Sequence, residues 1–197
     1  KTYVATVRLG VTTDSGDAEG VVTSERPVTV SEAEVRAVLP QFAGDILQVP
    51  PMHSALKRDG RPLYELARQG VEVERQPRPV TIHHLALLES AGDTLVLEVT
   101  CSKGTYIRVL AQDIGEALGC GAHLTALRRT RVGDLSLDDA VTLAALEAIE
   151  EADRGARLQP LDSLLQTLPA HRLDEAGVQR FGHGNPVPAP SGMTGLL

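Results

Sequence analysis

The first clear pattern is an alternation. In "TYVATVRLG" the residues Tyr3, Ala5, Val7 and Leu9 fall on one face of an extended chain, which predicts a half-buried strand. "VTTDSGDAEG" is polar and loop-like, and "VVTSERPVTV" is extended. Ser31 followed by Glu34 forms a capping box, and Val35, Val38 and Leu39 give the helix behind it an apolar face that ends at Pro40. "VTIHHLALLES" and "DTLVLEVTCS" read as two strands joined by "AGD", a hairpin.

In "QVPPMHSALKRDGRPLYELARQG" two prolines impose an extended entry, "RDGR" is a turn, and Leu63, Leu66 and Ala67 mark a short helix that Gly70 ends. This basic hairpin and helix read as an excursion from the main body. Ile107, Leu110, Ala111, Ile114 and Leu118 form an amphipathic helical stripe bounded by Gly119 and Gly121. "HLTALRRTRVGDLSL" is strand-like, while "TLAALEAIEEA" and "PLDSLLQTL" read as helices. From Pro169 the chain turns polar and rich in Gly and Pro. An α+β domain with a mixed, largely antiparallel sheet flanked by helices is expected, the fold that the family resemblance given below implies.

Charge sharpens the picture. The 197 residues carry a net charge of −7, but residues 57–131 hold 11 basic and 9 acidic side chains, a net of +2, against −9 elsewhere. A locally basic middle in an acidic protein is compatible with a nucleic-acid face. No apolar run approaches the roughly 18 residues of a membrane span. Cys101 and Cys120 form no CxxC pair and read as small buried hydrophobes. The chain opens on Lys1, within a strand and without an initiator Met, as expected of a fragment.

The chemistry is sparse. There is no P-loop, no nucleophile elbow, and no HExxH or Cys/His cluster to suggest a metal. One stretch stands out, "CSKGTYIRVL", residues 101–110. It places Arg108 at a helix start, where the backbone dipole already repels cations. The rest of the chain has to account for that charge. Tyr3 and Tyr106 stand at strand-end and loop-to-helix positions beside basic residues, a setting suited to holding a base.

"KTYVATVRLGVTTDSGDAEG", "QVPPMHSALKRDGRPLYELARQG" and "CSKGTYIRVLAQDIGEALGCGAHLTALRR" together resemble the TruB type of pseudouridine synthase, the bacterial tRNA pseudouridine-55 synthases, in the family's order and spacing. The resemblance implies a pseudouridine synthase catalytic domain over residues 1–168, with an RNA-gripping thumb at about 50–75. Residues 169–197 would then be a linker and the start of a truncated PUA-like domain. The implied reaction isomerises a uridine flipped from the T-loop of tRNA, with no redox change and no cofactor or metal. The implied partners are the tRNA T-arm and the enzyme's own N-terminal segment. A cytoplasmic monomer without membrane association is expected.

Residue by residue, the resemblance makes Arg108 the ion-pair partner of a nucleophilic aspartate, whose pKa it would lower. Tyr3 would stack on the base and help remove the C5 proton, a role that needs a lowered pKa or a water relay. Tyr106 and Leu127 would contact the uracil, and Lys57, Arg58, Arg61 and Arg68 the T-arm. The family's aspartate lies in a Gly-His-Gly-Thr-Leu-Asp-Pro-like loop that does not occur in these residues. Arg108 is therefore expected to lack a carboxylate partner in this chain and to face an open cleft, and the fragment is expected to be inactive. Asp14 and Asp17 lie in the loop after the first strand and are not taken as substitutes. Two rival readings remain: an RNA-binding module without catalysis, and an acid/base hydrolase using Asp14, Asp17 and Arg108.

Overall fold

The alternation in the first strand sets the core. In the computed structural model, which describes residues 1–58, 60–163, 165, 168 and 170–188, strand β1 runs Thr2–Leu9. Ala5, Val7 and Leu9 are buried beneath it, with Tyr3 packed at their edge. β1 lies between two long partners, β8 (Thr94–Cys101) and β9 (Ala122–Val132), and both pairings are antiparallel.

The remaining elements follow in chain order. Short strands β2 (Val11–Thr13) and β3 (Val22–Glu25) pair with each other. Helix α1 (Glu32–Val38) carries the expected capping box, with the Ser31 side chain accepting the Glu34 N–H and the Glu34 carboxylate accepting the Ser31 N–H. Strand β4 (Gly44–Gln48) comes next. The tiny hairpin of β5 (Lys57–Arg58) and β6 (Arg61–Pro62) leads into α2 (Leu63–Arg68). β7 (Arg78–Ala91) forms the expected hairpin with β8, starting two residues earlier than the alternation suggests. Helix α3 (Ile107–Ala117) then crosses to β9, which is followed by β10 (Leu135–Ser136), α4 (Leu143–Glu147) and α5 (Glu175–Gly182).

The main sheet has the order β10-β9-β1-β8-β7-β4. Every pairing between its strands is antiparallel. Among the described residues, parallel character is confined to one isolated bridge, Asp17 to Leu124. One face of the sheet packs on α1 and α3 through Leu95, Leu97, Val99, Leu110, Ile114 and their neighbours. Burying such a side chain contributes about 1.5–3 kcal/mol. Helix α3 approaches β9 closely because Gly115 has no side chain; a Cβ there would collide with the backbone of Gly121 and Ala122. Cys101 and Cys120 are both buried and free.

The chain divides into two compact units, Lys1–Leu146 and Glu147–Leu197. The helix expected over residues 142–152 stops at Glu147, and a 3-10 helix follows at Glu151–Arg157. Neither segment buries a side chain, and a short helix without tertiary packing is marginal in water. Of the helix expected in "PLDSLLQTL", residues 164, 166 and 167 lie outside the described residues, and the described part forms turns. Helix α5, absent from the sequence reading, is capped by the Asp174 side chain, which accepts the Gly177 N–H at 2.7 Å. The last nine residues of the expected PUA-like start also lie outside the described set. Among the described residues no helix is long and apolar enough to cross a membrane.

Candidate active site

Arg108 has a carboxylate partner within the chain, contrary to expectation. Its Nη1 donates to Asp17 Oδ2 at 2.8 Å, and its Nη2 donates to the His53 carbonyl at 2.5 Å. The guanidinium and the carboxylate are 22% and 25% exposed. Asp17 reaches it because the loop after β2 rides on β9: the Leu124 N–H donates to the Gly16 carbonyl at 3.0 Å, beside the Asp17–Leu124 bridge. Gly16 takes a positive φ of 75°, and a Cβ there would strike Gln112 of α3.

The Asp17 carboxylate is dressed for a charged state. Partial burial pushes its pKa up. Hydrogen bonds from the Ser15 hydroxyl (2.6 Å), Arg108 and the Glu19 N–H (3.2 Å), with the guanidinium charge, outweigh burial and hold it below the usual value. Asp14 lines the same cavity but does not pair with Arg108; its carboxylate accepts the Val21 N–H at 2.8 Å and closes its own loop. The hydrolase reading requires a carboxylic acid beside a base. Here Asp17 is held ionised, and of the two loop carboxylates it alone pairs with Arg108 among the described residues.

Asp17 and Arg108 line a cavity of about 450 Å³ together with His53, Ser54, Tyr64 and Arg68. The Ser54 hydroxyl in this wall is buried without a hydrogen-bond partner among the described residues. Arg68 stacks on Tyr64, its guanidinium carbon 5.5 Å from the ring centroid. The thumb bases therefore divide. Arg68 faces the Arg108 cavity, whereas Lys57 and Arg58 line a separate basin.

The other anticipated residues sit as follows. Tyr3 is opposite Arg129, and Ala5 is opposite Leu127, in the β1–β9 register. Directly opposed antiparallel residues share a sheet face, so Leu127 and Tyr3 lie on the face that carries the core. Arg129 stacks over Tyr3 at 5.9 Å from the ring centroid. Burial pushes the Tyr3 hydroxyl pKa up, and Arg129 offsets only part of this. Tyr106 is the N-cap residue of α3. Its N–H donates to Gln48 Oε1 at 3.0 Å, and its carbonyl accepts from Gln48 Nε2 at 3.3 Å.

Gln48 and Arg129 were missed from the sequence, and Asp17 was named there only to be set aside as a substitute partner. Gln48 is 98% buried; a lone amide between Leu47 and Val49 gives no local sign that it will turn inward. Arg129 had a usable signal, since it stands two positions from Leu127 and so on the same strand face. Among the described residues no group of three or more His, Cys, Asp or Glu is placed to hold a metal.

The fold has counterparts among solved structures. A chain of a crystallised Cbf5–Nop10–Gar1 complex superposes with a TM-score of 0.69 at 29% identity, over 93% of this chain and 48% of that one. The chain belongs to the TruB family of pseudouridylate synthases: the model of that family's N-terminal domain matches residues 1–107, and that of the tRNA pseudouridylate synthase B C-terminal domain matches residues 108–168. It is 63% identical over 195 residues to the tRNA pseudouridine synthase B of Dechloromonas aromatica, covering 99% of this chain and 65% of that protein. It is 61% identical over 184 residues to that of Burkholderia mallei, covering 93% and 61%. The chain thus spans somewhat less than two thirds of the length of these curated relatives.

Proposed function

We propose that this chain forms the arginine and base-binding part of an enzyme that converts a T-loop uridine of tRNA to pseudouridine in the cytoplasm. The observation that carries this reading is the Arg108 guanidinium, held between Asp17 and the His53 carbonyl at the wall of a 450 Å³ cavity. Arginine presents five N–H donors, so a side chain fixed by two bonds keeps donors for a second carboxylate. The nucleophilic aspartate comes from protein outside these 197 residues. It attacks the nucleoside, the N1 glycosidic bond breaks, and the base turns and rejoins through C5, which then loses its proton while N1 gains one. Substrate and product are isomers, so the step balances without a cofactor.

Asp17 fits a positioning role: it orients the guanidinium, and its own charge is neutralised by the bonds that hold it. Tyr3, with its pKa raised, stays protonated at neutral pH. It stacks on the base and passes a proton through water rather than acting as a phenolate. In this reading Leu127 and Tyr106 contact the uracil, and Lys57, Arg58, Arg61 and Arg68 hold the T-arm. Residues 1–168 make up the catalytic domain of this reading, and residues 169–197 a linker and the start of a PUA-like domain.

The test is tritium release from tRNA labelled at uridine C5, using the protein that contains this chain together with the aspartate-bearing loop. Conversion at one T-loop uridine, lost in Arg108→Ala and only partly restored in Arg108→Lys, is the expected result. Full conversion by the Arg108→Ala protein overturns the reading.

A further inference from the structure

The first turn of α3 lacks a cap of its own. Tyr106 holds the N-cap position in extended backbone, with φ −101° and ψ 106°, and its side chain caps no N–H of the turn. Ser, Thr, Asp or Asn at that position would do so. Helix ends left uncapped fray, and a side chain at such an end loses a fixed direction. Gln48 supplies from 58 positions away what the local sequence does not. Its Oε1 accepts the Tyr106 N–H at 3.0 Å, and its Nε2 donates to the Tyr106 carbonyl at 3.3 Å. The Leu110 N–H donates to the same carbonyl at 3.1 Å and opens the helical ladder.

One planar amide thus grips both polar groups of the N-cap residue. The grip is rigid because Gln48 is 2% exposed and sits where β4 pairs with β7, opposite Arg78. Further along the same segment, the His53 carbonyl accepts from Arg108 Nη2. Pro50 and Pro51 stiffen the backbone between. Residues 48–53 therefore hold the entry of α3 at both residues that the tRNA reading uses, Tyr106 through Gln48 and Arg108 through His53. A capping serine at 106 would need no such help. The remote amide makes an aromatic ring compatible with a fixed helix start.

We propose that Gln48 is a positioning residue of the uridine isomerisation: its amide fixes the Tyr106 backbone so that the Tyr106 ring meets the uracil in one orientation. The proposal rests on the tRNA reading above, in which Tyr106 contacts the base. Reaction of a held substrate is sensitive to displacements of about 1 Å, which can cost on the order of 100-fold in rate.

The test is a double-mutant cycle on single-turnover tritium release from tRNA labelled at uridine C5, using the protein that contains this chain and the aspartate-bearing loop. Gln48→Met keeps the length of the side chain and removes both bonds. It should lower the rate roughly 10- to 100-fold, with tRNA affinity as in wild type. In a Tyr106→Ala background the same change should cost almost nothing further, because the ring it positions is gone. In a Leu127→Ala background it should cost its full amount, since Leu127 lies on β9, away from the clamp. Ile46→Ala, a truncation in the same strand against the core, controls for lost stability and should leave the rate near wild type. Should Gln48→Met fail to fold, Gln48→Asn, whose shorter amide falls out of reach of Tyr106, takes its place in the cycle. A wild-type rate in Gln48→Met overturns the proposal. So does an equal loss with and without the Tyr106 ring, which would mean that Gln48 acts through the fold or through Arg108. A loss in Ile46→Ala as large as that in Gln48→Met also overturns it. A wild-type protein that converts no T-loop uridine overturns the tRNA reading, and the proposal falls with it.

Discussion

Arg108 and Asp17 stand 91 positions apart in the chain and meet at 2.8 Å. The pair accounts for a cation at the start of α3, where the helix dipole opposes it. Attraction to a fixed carboxylate, with a carbonyl on the second nitrogen, outweighs that repulsion. Because Asp17 lies in the loop carried by β9, the same contact fastens that loop and the entry of the thumb to the first turn of α3.

Arg108→Ala should therefore destabilise this chain by itself, where an unpaired arginine would have been nearly neutral. Loss of a charged hydrogen-bonded partner costs about 1–3 kcal/mol, discounted here because both groups keep some solvent contact. Urea unfolding measures it as a lower midpoint at unchanged slope. A midpoint equal to wild type rules out the pair in solution.

The contribution of Asp17 has a defined pH window. Its folded pKa lies below the ordinary 3.8. The stabilisation is therefore fully present above that value and is lost as pH falls through the lower folded value. The stability difference between wild type and Asp17→Asn should be constant from pH 7 to about 5 and should shrink below about pH 4. Unfolding of the two proteins in parallel checks this, because the other carboxylates cancel in the difference.

Gln48→Leu tests the clamp on Tyr106. The change keeps volume roughly constant and strands the Tyr106 N–H in the interior, at a cost of about 1–3 kcal/mol. Hydrogen exchange at the Tyr106 amide should accelerate more than exchange in the centre of β8. Uniform acceleration would mean that Gln48 supports only the global fold.

For Tyr3, titration by ultraviolet absorbance should show one phenol ionising above the ordinary value of 10.0, since burial raises it. Arg129 offsets part of that rise, so Arg129→Ala should move the same phenol further up. A downward shift would contradict the stacked arrangement.

Much of this molecule is legible locally. The face shared by Ala5, Val7 and Leu9, the Ser31–Glu34 capping box, the β7–β8 hairpin and the stripe of α3 each depend on residues within a few positions of one another. Strand and helix periods and short turns write such features directly into residue order. Arg108 was legible as an anomaly for the same reason, because the helix dipole it opposes is a local property.

Its partner was left undecided, Asp17 entering only as part of a rival reading. Asp17, Gln48 and Arg129 act through contacts 91, 58 and 126 positions distant, with Arg108, Tyr106 and Tyr3. Each contact depends on which strands are neighbours and in what register: the loop of Asp17 rides on β9, Gln48 ends β4, and Arg129 faces Tyr3 across the β1–β9 pair. Sequence determined which surfaces had to be buried and where an unusual charge lay. Tertiary structure alone decided which groups met it, because pairing energy is gained only after a long loop has closed, and nothing in residue order records that closure.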